Sequence, residues 1–137
     1  MSGGLFGMNT TTFFLDWNLG TRYAATALRE QGALVELHGA HFTQQAPDVE
    51  WLPVVGSRGW VVVTKDDRLR HNVHEVAAIR AAGVGVFILN NANLPGVEIA
   101  AALTAAYLEM VRLAQTQPRP FIASISRRGQ VRLLEPV

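Results

Sequence analysis

The sequence predicts an α/β fold in which a mostly parallel sheet is covered by helices on both faces. Three observations carry this. Short apolar runs alternate with segments of helical periodicity along the whole chain. The runs are almost continuously apolar, as strands buried on both faces are. Glycines stand where helices should stop, at Gly32 and Gly83. Residues 12–16 form the first strand. Asn18 is placed to cap the following helix, Gly20 loosens the turn, and Tyr23, Ala24, Ala27 and Leu28 recur at helical spacing up to Gly32. Ala33 to Leu37 reads as a second strand, and the polar stretch His38 to Pro47 as a loop. Pro47-Asp48-Val49-Glu50 opens a helix with Trp51, Leu52 and Val55 on one face, ended by Gly56 and Gly59. Trp60 to Thr64 is a third strand, His71 to Ala82 a third helix, and Val84 to Leu89 a fourth strand. After the Asn90–Asn93 loop, Pro95 opens a long helix to about Gln115. Phe121–Ile125 and Gln130–Leu134 then form a hairpin around Arg127-Arg128-Gly129.

The 137 residues suit one domain, expected over residues 12–137 behind a flexible leader, residues 1–11. There is no cysteine, which excludes disulfides and cysteine-ligated zinc. No apolar run is long enough to span a bilayer, and the leader lacks the features of a signal peptide, so a soluble cytoplasmic protein is expected. The formal net charge is only +1, but Val111 to Leu134 carries five arginines and no acid. Arginine forks onto phosphates, which brings nucleic acid into view; a solvated basic surface explains the same feature.

The chain contains four aspartates, Asp16, Asp48, Asp66 and Asp67, and they fall at strand ends or a helix start. In parallel sheets ligands bind beyond the carboxyl ends of the strands, where Asp16 and Asp66 lie. If their strands are neighbours, the carboxylates converge. Converging carboxylates repel unless a cation neutralises them, and magnesium or manganese does so through carboxylate oxygens and retained waters. Asp16, Asp48 and Asp66 are the first candidates for catalysis and for metal binding. Glu50 is an additional or substitute ligand for Asp48, and the residues do not choose between them. Asp67 is a weaker candidate, because adjacent residues on an extended chain point apart. Helix capping and turn formation explain each acid singly. Asn18, Lys65, Arg68 and Arg70 are candidates for binding substrate, with loop chemistry as the plainer explanation. His71 and His74 could share a helix face but lack further zinc ligands. Trp17 and Trp51 are expected in the core rather than at the rim of the site.

The segments Phe13-Phe14-Leu15-Asp16-Trp17-Asn18-Leu19-Gly20, Pro47-Asp48-Val49-Glu50-Trp51-Leu52, Gly59-Trp60-Val61-Val62-Val63-Thr64-Lys65-Asp66 and Pro120-Phe121-Ile122 together resemble the PIN-like domain family, specifically its compact VapC-toxin-like group. The resemblance covers nearly the whole chain after the leader. It implies a three-layer α/β/α fold and a Mg2+- or Mn2+-dependent endoribonuclease. It also implies RNA as substrate and a small antitoxin protein as partner. By position, Asp16 matches the first-strand acid, Asp48 or Glu50 the middle acid, and Asp66 the acid of the Thr-Lys-Asp element. Larger PIN domains carry a further acid after the fourth strand, where this chain reads Asn90-Asn91-Ala92-Asn93. That departure supports a second expectation, a catalytically inactive PIN-like module binding RNA or protein. A phospho-acceptor receiver or aspartyl phosphatase fits less well: the first strand ends Asp16-Trp17-Asn18 rather than Asp-x-Asp, and Lys65 abuts Asp66. A homodimer packed through the hairpin and the alanine-rich helix stays open.

Overall fold

The computed structural model describes residues 11–19, 21–90 and 93–136. The leader up to Thr10, Gly20 and the Asn91-Ala92 pair fall outside the described residues. The elements are β1 (Thr12–Leu15), α1 (Thr21–Glu30), β2 (Leu34–Leu37), α2 (His38–His41), α3 (Asp48–Ser57), β3 (Val61–Thr64), α4 (Val73–Ala82), β4 (Gly85–Leu89), α5 (Gly96–Thr116), β5 (Phe121–Ile125) and β6 (Val131–Pro136). Single 3-10 turns span Trp17–Leu19 and Asp67–Arg70.

The six strands form one sheet in the order β2-β1-β3-β4-β5-β6. The first five run parallel, and β6 returns antiparallel along β5. The sheet is therefore mixed, with the C-terminal hairpin at one edge. Alternate residues of each strand feed opposite layers. Phe13, Val61, Val63, Phe87 and Phe121 pack with Leu28 of α1 and Leu103 of α5. Phe14, Val62, Val86 and Ile88 pack with Trp51 and Val55 of α3 and Ile79 of α4. That is the three-layer α/β/α arrangement, and it explains why the strands show no polar alternation. Phe14 is fully buried. Its ring stands 5.4 Å from that of Trp51 and 5.9 Å from that of Trp60. Phe14→Ala would cost about 3–5 kcal/mol and loosen α3 from the sheet.

Three local expectations are corrected. The stretch after β2 is not wholly loop: His38–His41 makes one helical turn, because the His38 ring is buried among Phe14, Phe42 and Trp51. Gly56 does not end its helix but lies inside it. A Cβ there would stand 2.2 Å from the carbonyl oxygen of Ala82, so glycine is what lets α3 and α4 touch at their last turns. Helix α4 starts at Val73 rather than His71, since the Asn72 side chain accepts from the backbone N–H groups of His74 and Glu75 and fixes the start there.

Candidate active site

Strands β1 and β3 are parallel neighbours, pairing Phe13 with Val61 and Leu15 with Val63. Their carboxyl ends therefore deliver Asp16 and Asp66 to the same edge. The pairing continues one residue past β1, where the Asp16 N–H donates to the Val63 carbonyl at 2.9 Å. Asp16 Oδ1 accepts from the Trp17 N–H at 2.7 Å, and Oδ2 accepts from the Thr64 hydroxyl at 2.8 Å. Burial pushes the Asp16 carboxyl above its ordinary range; the Thr64 and Trp17 hydrogen bonds oppose this, and the charge of Asp48 adds to it.

Thr64, itself buried, links the two acids. Its hydroxyl donates to Asp16 and accepts from the Asp66 N–H at 3.1 Å. Asn18 Oδ1 lies 3.3 Å from the same hydroxyl and accepts from the Lys65 N–H at 3.3 Å. Asn18 thus does not cap α1. It sits within the Trp17–Leu19 turn and ties that turn to the end of β3. Asp66 caps the next turn, accepting from the Arg68 N–H at 3.0 Å on Oδ1. The Arg68 guanidinium also forks onto it, Nε to Oδ1 at 2.9 Å and Nη2 to Oδ2 at 3.0 Å. That hydrogen bonding holds the Asp66 carboxyl below its ordinary range.

Two helices bring further carboxylates. Asp48 starts α3, and Glu75 lies in the first turn of α4. The helices lie side by side in the same direction, touching at Gly56 and Ala82 near their ends and at Asp48 and Glu75 near their starts. The Glu75 carboxyl is hydrogen-bonded to that of Asp48. Burial first, then that hydrogen bond and the charges of Asp48 and Asp66, push Glu75 up to about 7, with Arg68 opposing. The sequence did not single out Glu75, and it placed Thr64 in the Thr-Lys-Asp element without a role of its own. The signal for Glu75 was Asn72-Val73-His74-Glu75, a capping residue followed three later by an acid. The signal for Thr64 was its hydroxyl two residues before an aspartate, the spacing of a local hydroxyl-to-backbone turn.

The remaining candidates spread outward. Glu50 is exposed in the first turn of α3, and the charges acting on Asp16 and Glu75 include Asp48 rather than Glu50. Asp67 borders the cleft but is engaged by other partners, pairing with Arg70 at 2.8 Å and His71 at 3.3 Å. His71 precedes α4, so it shares no helix face with His74. Lys65, Asp66, Asp67, Arg68, His71 and Asn72 line a cleft of about 490 Å3 beside the acids. Trp51 is buried as expected, but Trp17 is 49% exposed and lies over Gly39, at the rim. Three of the five C-terminal arginines are engaged locally: Arg112 with Glu109, Arg127 with Glu98, and Arg119 with the carbonyls of Gly59 and Ala114.

The donors are all carboxylate oxygens, which suits a hard divalent cation. Among the described residues no three His, Cys, Asp or Glu side chains stand close enough together to hold an ion directly. Carboxylates gathered this loosely fit a cation that keeps several waters, as magnesium does.

Residues 11–91 match the description "PIN like domain", a span running from β1 through β4 that includes Asp16, Asp48, Asp66 and Glu75. The chain belongs to the PIN-like domain family. This PIN-like domain is also 27% identical, over 125 residues, to a Mycobacterium tuberculosis protein named as a candidate ribonuclease, VapC45; the match covers 88% of this chain and 90% of the relative. No solved structure matches the chain significantly. Among the described residues, no helix of the PIN-like domain is long and apolar enough to cross a membrane.

Proposed function

We propose that this PIN-like domain is an endoribonuclease that hydrolyses RNA phosphodiester bonds at the Asp16–Asp66 edge and depends on Mg2+ or Mn2+. The observation that carries the reading is the convergence of Asp16, Asp48, Asp66 and Glu75 from four elements, in a family whose similar relative is named as a candidate ribonuclease. Asp16, Asp48 and Asp66 would hold the ion, with Glu75 beside Asp48. Glu50 and Asp67 stand outside this set. When bound, a divalent ion supplies an activated water and neutralises charge on the phosphate.

The chain's own groups prepare that chemistry. Thr64 fixes the rotamer of Asp16 and the backbone of Asp66 through one hydroxyl, so both carboxylates meet the substrate preset. Glu75, whose pKa is pushed up to about 7 by burial and by its neighbours, can stay protonated beside Asp48 and so avoid repelling it. Glu75, poised near neutrality, is suited to accept a proton from a water. Lys65 and Arg68 line the cleft where an RNA strand would lie, Asn18 ties its turn to the Lys65 backbone, and Arg70 lines a separate hollow with His71 and Arg132. We further propose a toxin role, with a small antitoxin protein covering the cleft.

The test is cleavage of structured and unstructured RNA by purified protein in Mg2+ or Mn2+. Turnover above that of an Asp16→Asn/Asp66→Asn control is expected. RNA binding without acid-dependent turnover would instead assign a non-catalytic binding module.

A further inference from the structure

The most exposed member of the site makes one of its tightest contacts. The Arg68 side chain is 83% exposed, yet its guanidinium engages both oxygens of Asp66. A positive group thus occupies the carboxylate that a metal ion would need. The Asp66 side chain is itself only 15% exposed, but its partner lies almost wholly in solvent, and a pair with one solvated partner is readily exchanged. The backbone also supports exchange. The Arg68 N–H holds Oδ1 independently of the guanidinium, whereas among the described contacts Oδ2 accepts from Nη2. Departure of the guanidinium would release Oδ2 while the carboxylate kept its orientation. The cleft of about 490 Å3 that Arg68 lines gives the side chain room to move.

We propose that Arg68 is a displaceable internal counter-ion: it neutralises Asp66 in the ion-free protein, yields Oδ2 to an incoming divalent cation, and then turns its fork to a phosphate of the RNA strand in the cleft. This rests on the metal-dependent nuclease reading and adds to it a competition between one side chain and the ion. Arginine suits the second role, since its planar donors match phosphate oxygens in pairs. The arrangement predicts opposite effects on two steps. Removing the guanidinium should help the ion bind and hinder the RNA.

The experiment is a Mn2+ titration of the full chain, followed by the electron paramagnetic resonance signal of free Mn2+, without RNA. Wild type, Arg68→Gln, Arg68→Lys and Asp66→Asn are compared, and circular dichroism confirms that each folds. Arg68→Gln should bind Mn2+ roughly 2–5-fold more tightly, the worth of an ion pair whose cation is solvated. Arg68→Lys, which keeps charge without the fork, should fall between it and wild type. At saturating Mn2+, kcat/KM for RNA should fall about tenfold in Arg68→Gln, as expected for a lost charged phosphate contact. If Arg68 merely pinned the turn, its loss would weaken Mn2+ binding. Equal or weaker binding by Arg68→Gln, with Asp66→Asn still impaired, overturns the competition and leaves the nuclease reading standing. Tighter binding with unchanged kcat/KM overturns the phosphate role. No Mn2+ binding by any of the four chains overturns the proposal together with the metal site beneath it.

Discussion

Asp16 and Asp66 end neighbouring parallel strands, share the Thr64 hydroxyl, and have opposite electrostatics. Asp16 is held by a hydroxyl and a backbone N–H in a buried position, and burial raises its pKa. Asp66 sits nearer solvent in the fork of Arg68, and its pKa is lowered. The difference shows that a strand end fixes where a carboxylate goes, while the neighbours set what it can do. Burial works against the charge of Asp16, so its carboxylate stands to gain from a bound cation. Asp66 is already paired with the Arg68 guanidinium, which an ion at that carboxylate would have to displace.

The largest expected effect breaks the pair itself. Asp16→Asn and Asp66→Asn should each reduce RNA cleavage on the order of 10²–10³-fold, comparable to removing one preorganised charge-stabilising group. The asymmetry sharpens in metal dependence. Raising Mn2+ concentration should recover part of the activity of a variant that only weakens ion binding, and little of the Asp16→Asn loss, because that change removes a carboxylate whose charge burial already opposes. Single-turnover cleavage across a Mn2+ series reads both.

The next effect removes the link. Thr64→Val keeps the shape of the side chain but deletes a buried hydroxyl that donates to Asp16 and accepts from the Asp66 N–H. Leaving those groups unpaired should cost about 1–3 kcal/mol of stability, measured by urea unfolding. The Asp16 carboxyl should also titrate higher still, since one of the two hydrogen bonds that lower it is gone.

Much of this frame was legible in the sequence because it rests on apolar runs. Val61-Val62-Val63 admits few alternatives to a strand buried on both faces, and the Trp51, Leu52, Val55 spacing placed α3 with its acids at the working edge. What escaped depended on contacts that no periodicity encodes. His38 joins an aromatic cluster built from four segments, so its helical turn looked like a loop. Trp17 and Trp51 are the same residue type, but only Trp51 belongs to a helical stripe, and only Trp51 is buried. Glu75 was hidden by a helix start placed two residues early. Its partnership with Asp48 requires α3 and α4 to touch, which depends on Gly56. A glycine read as a stop signal was in fact a contact surface.

A third prediction probes that helix pair by pH. The folded-state pKa of Glu75, about 7, lies above its ordinary 4.5. Folding therefore favours its protonated form. The stability this contributes is fully present below pH 4.5 and is lost as pH rises through 7. In EDTA, the melting curve of the wild type should shift down between pH 5 and 8 by an amount equivalent to about 1 kcal/mol, after allowance for solvent screening of a partly exposed group. Glu75→Gln, neutral throughout, should flatten this dependence. An unchanged slope in Glu75→Gln would show that Glu75 is not the group whose raised pKa sets it.

The smallest expected effect concerns Asp67, next in sequence to Asp66. Its carboxylate is paired with Arg70 and His71, and its side chain is 52% exposed. Exposed pairs of this kind contribute little, so Asp67→Asn should change stability by less than about 0.5 kcal/mol. Cleavage should stay within about twofold of wild type, since the change removes only a screened surface charge. The contrast with Asp66→Asn is the sharpest sequence-local test of the site, because the two residues differ by one position and by the direction their side chains leave the chain. A large loss of Mn2+ binding in Asp67→Asn would make Asp67 a ligand. It would require the Asp67–Arg70 turn to rearrange when the ion enters, and it would move the working edge one residue along the chain.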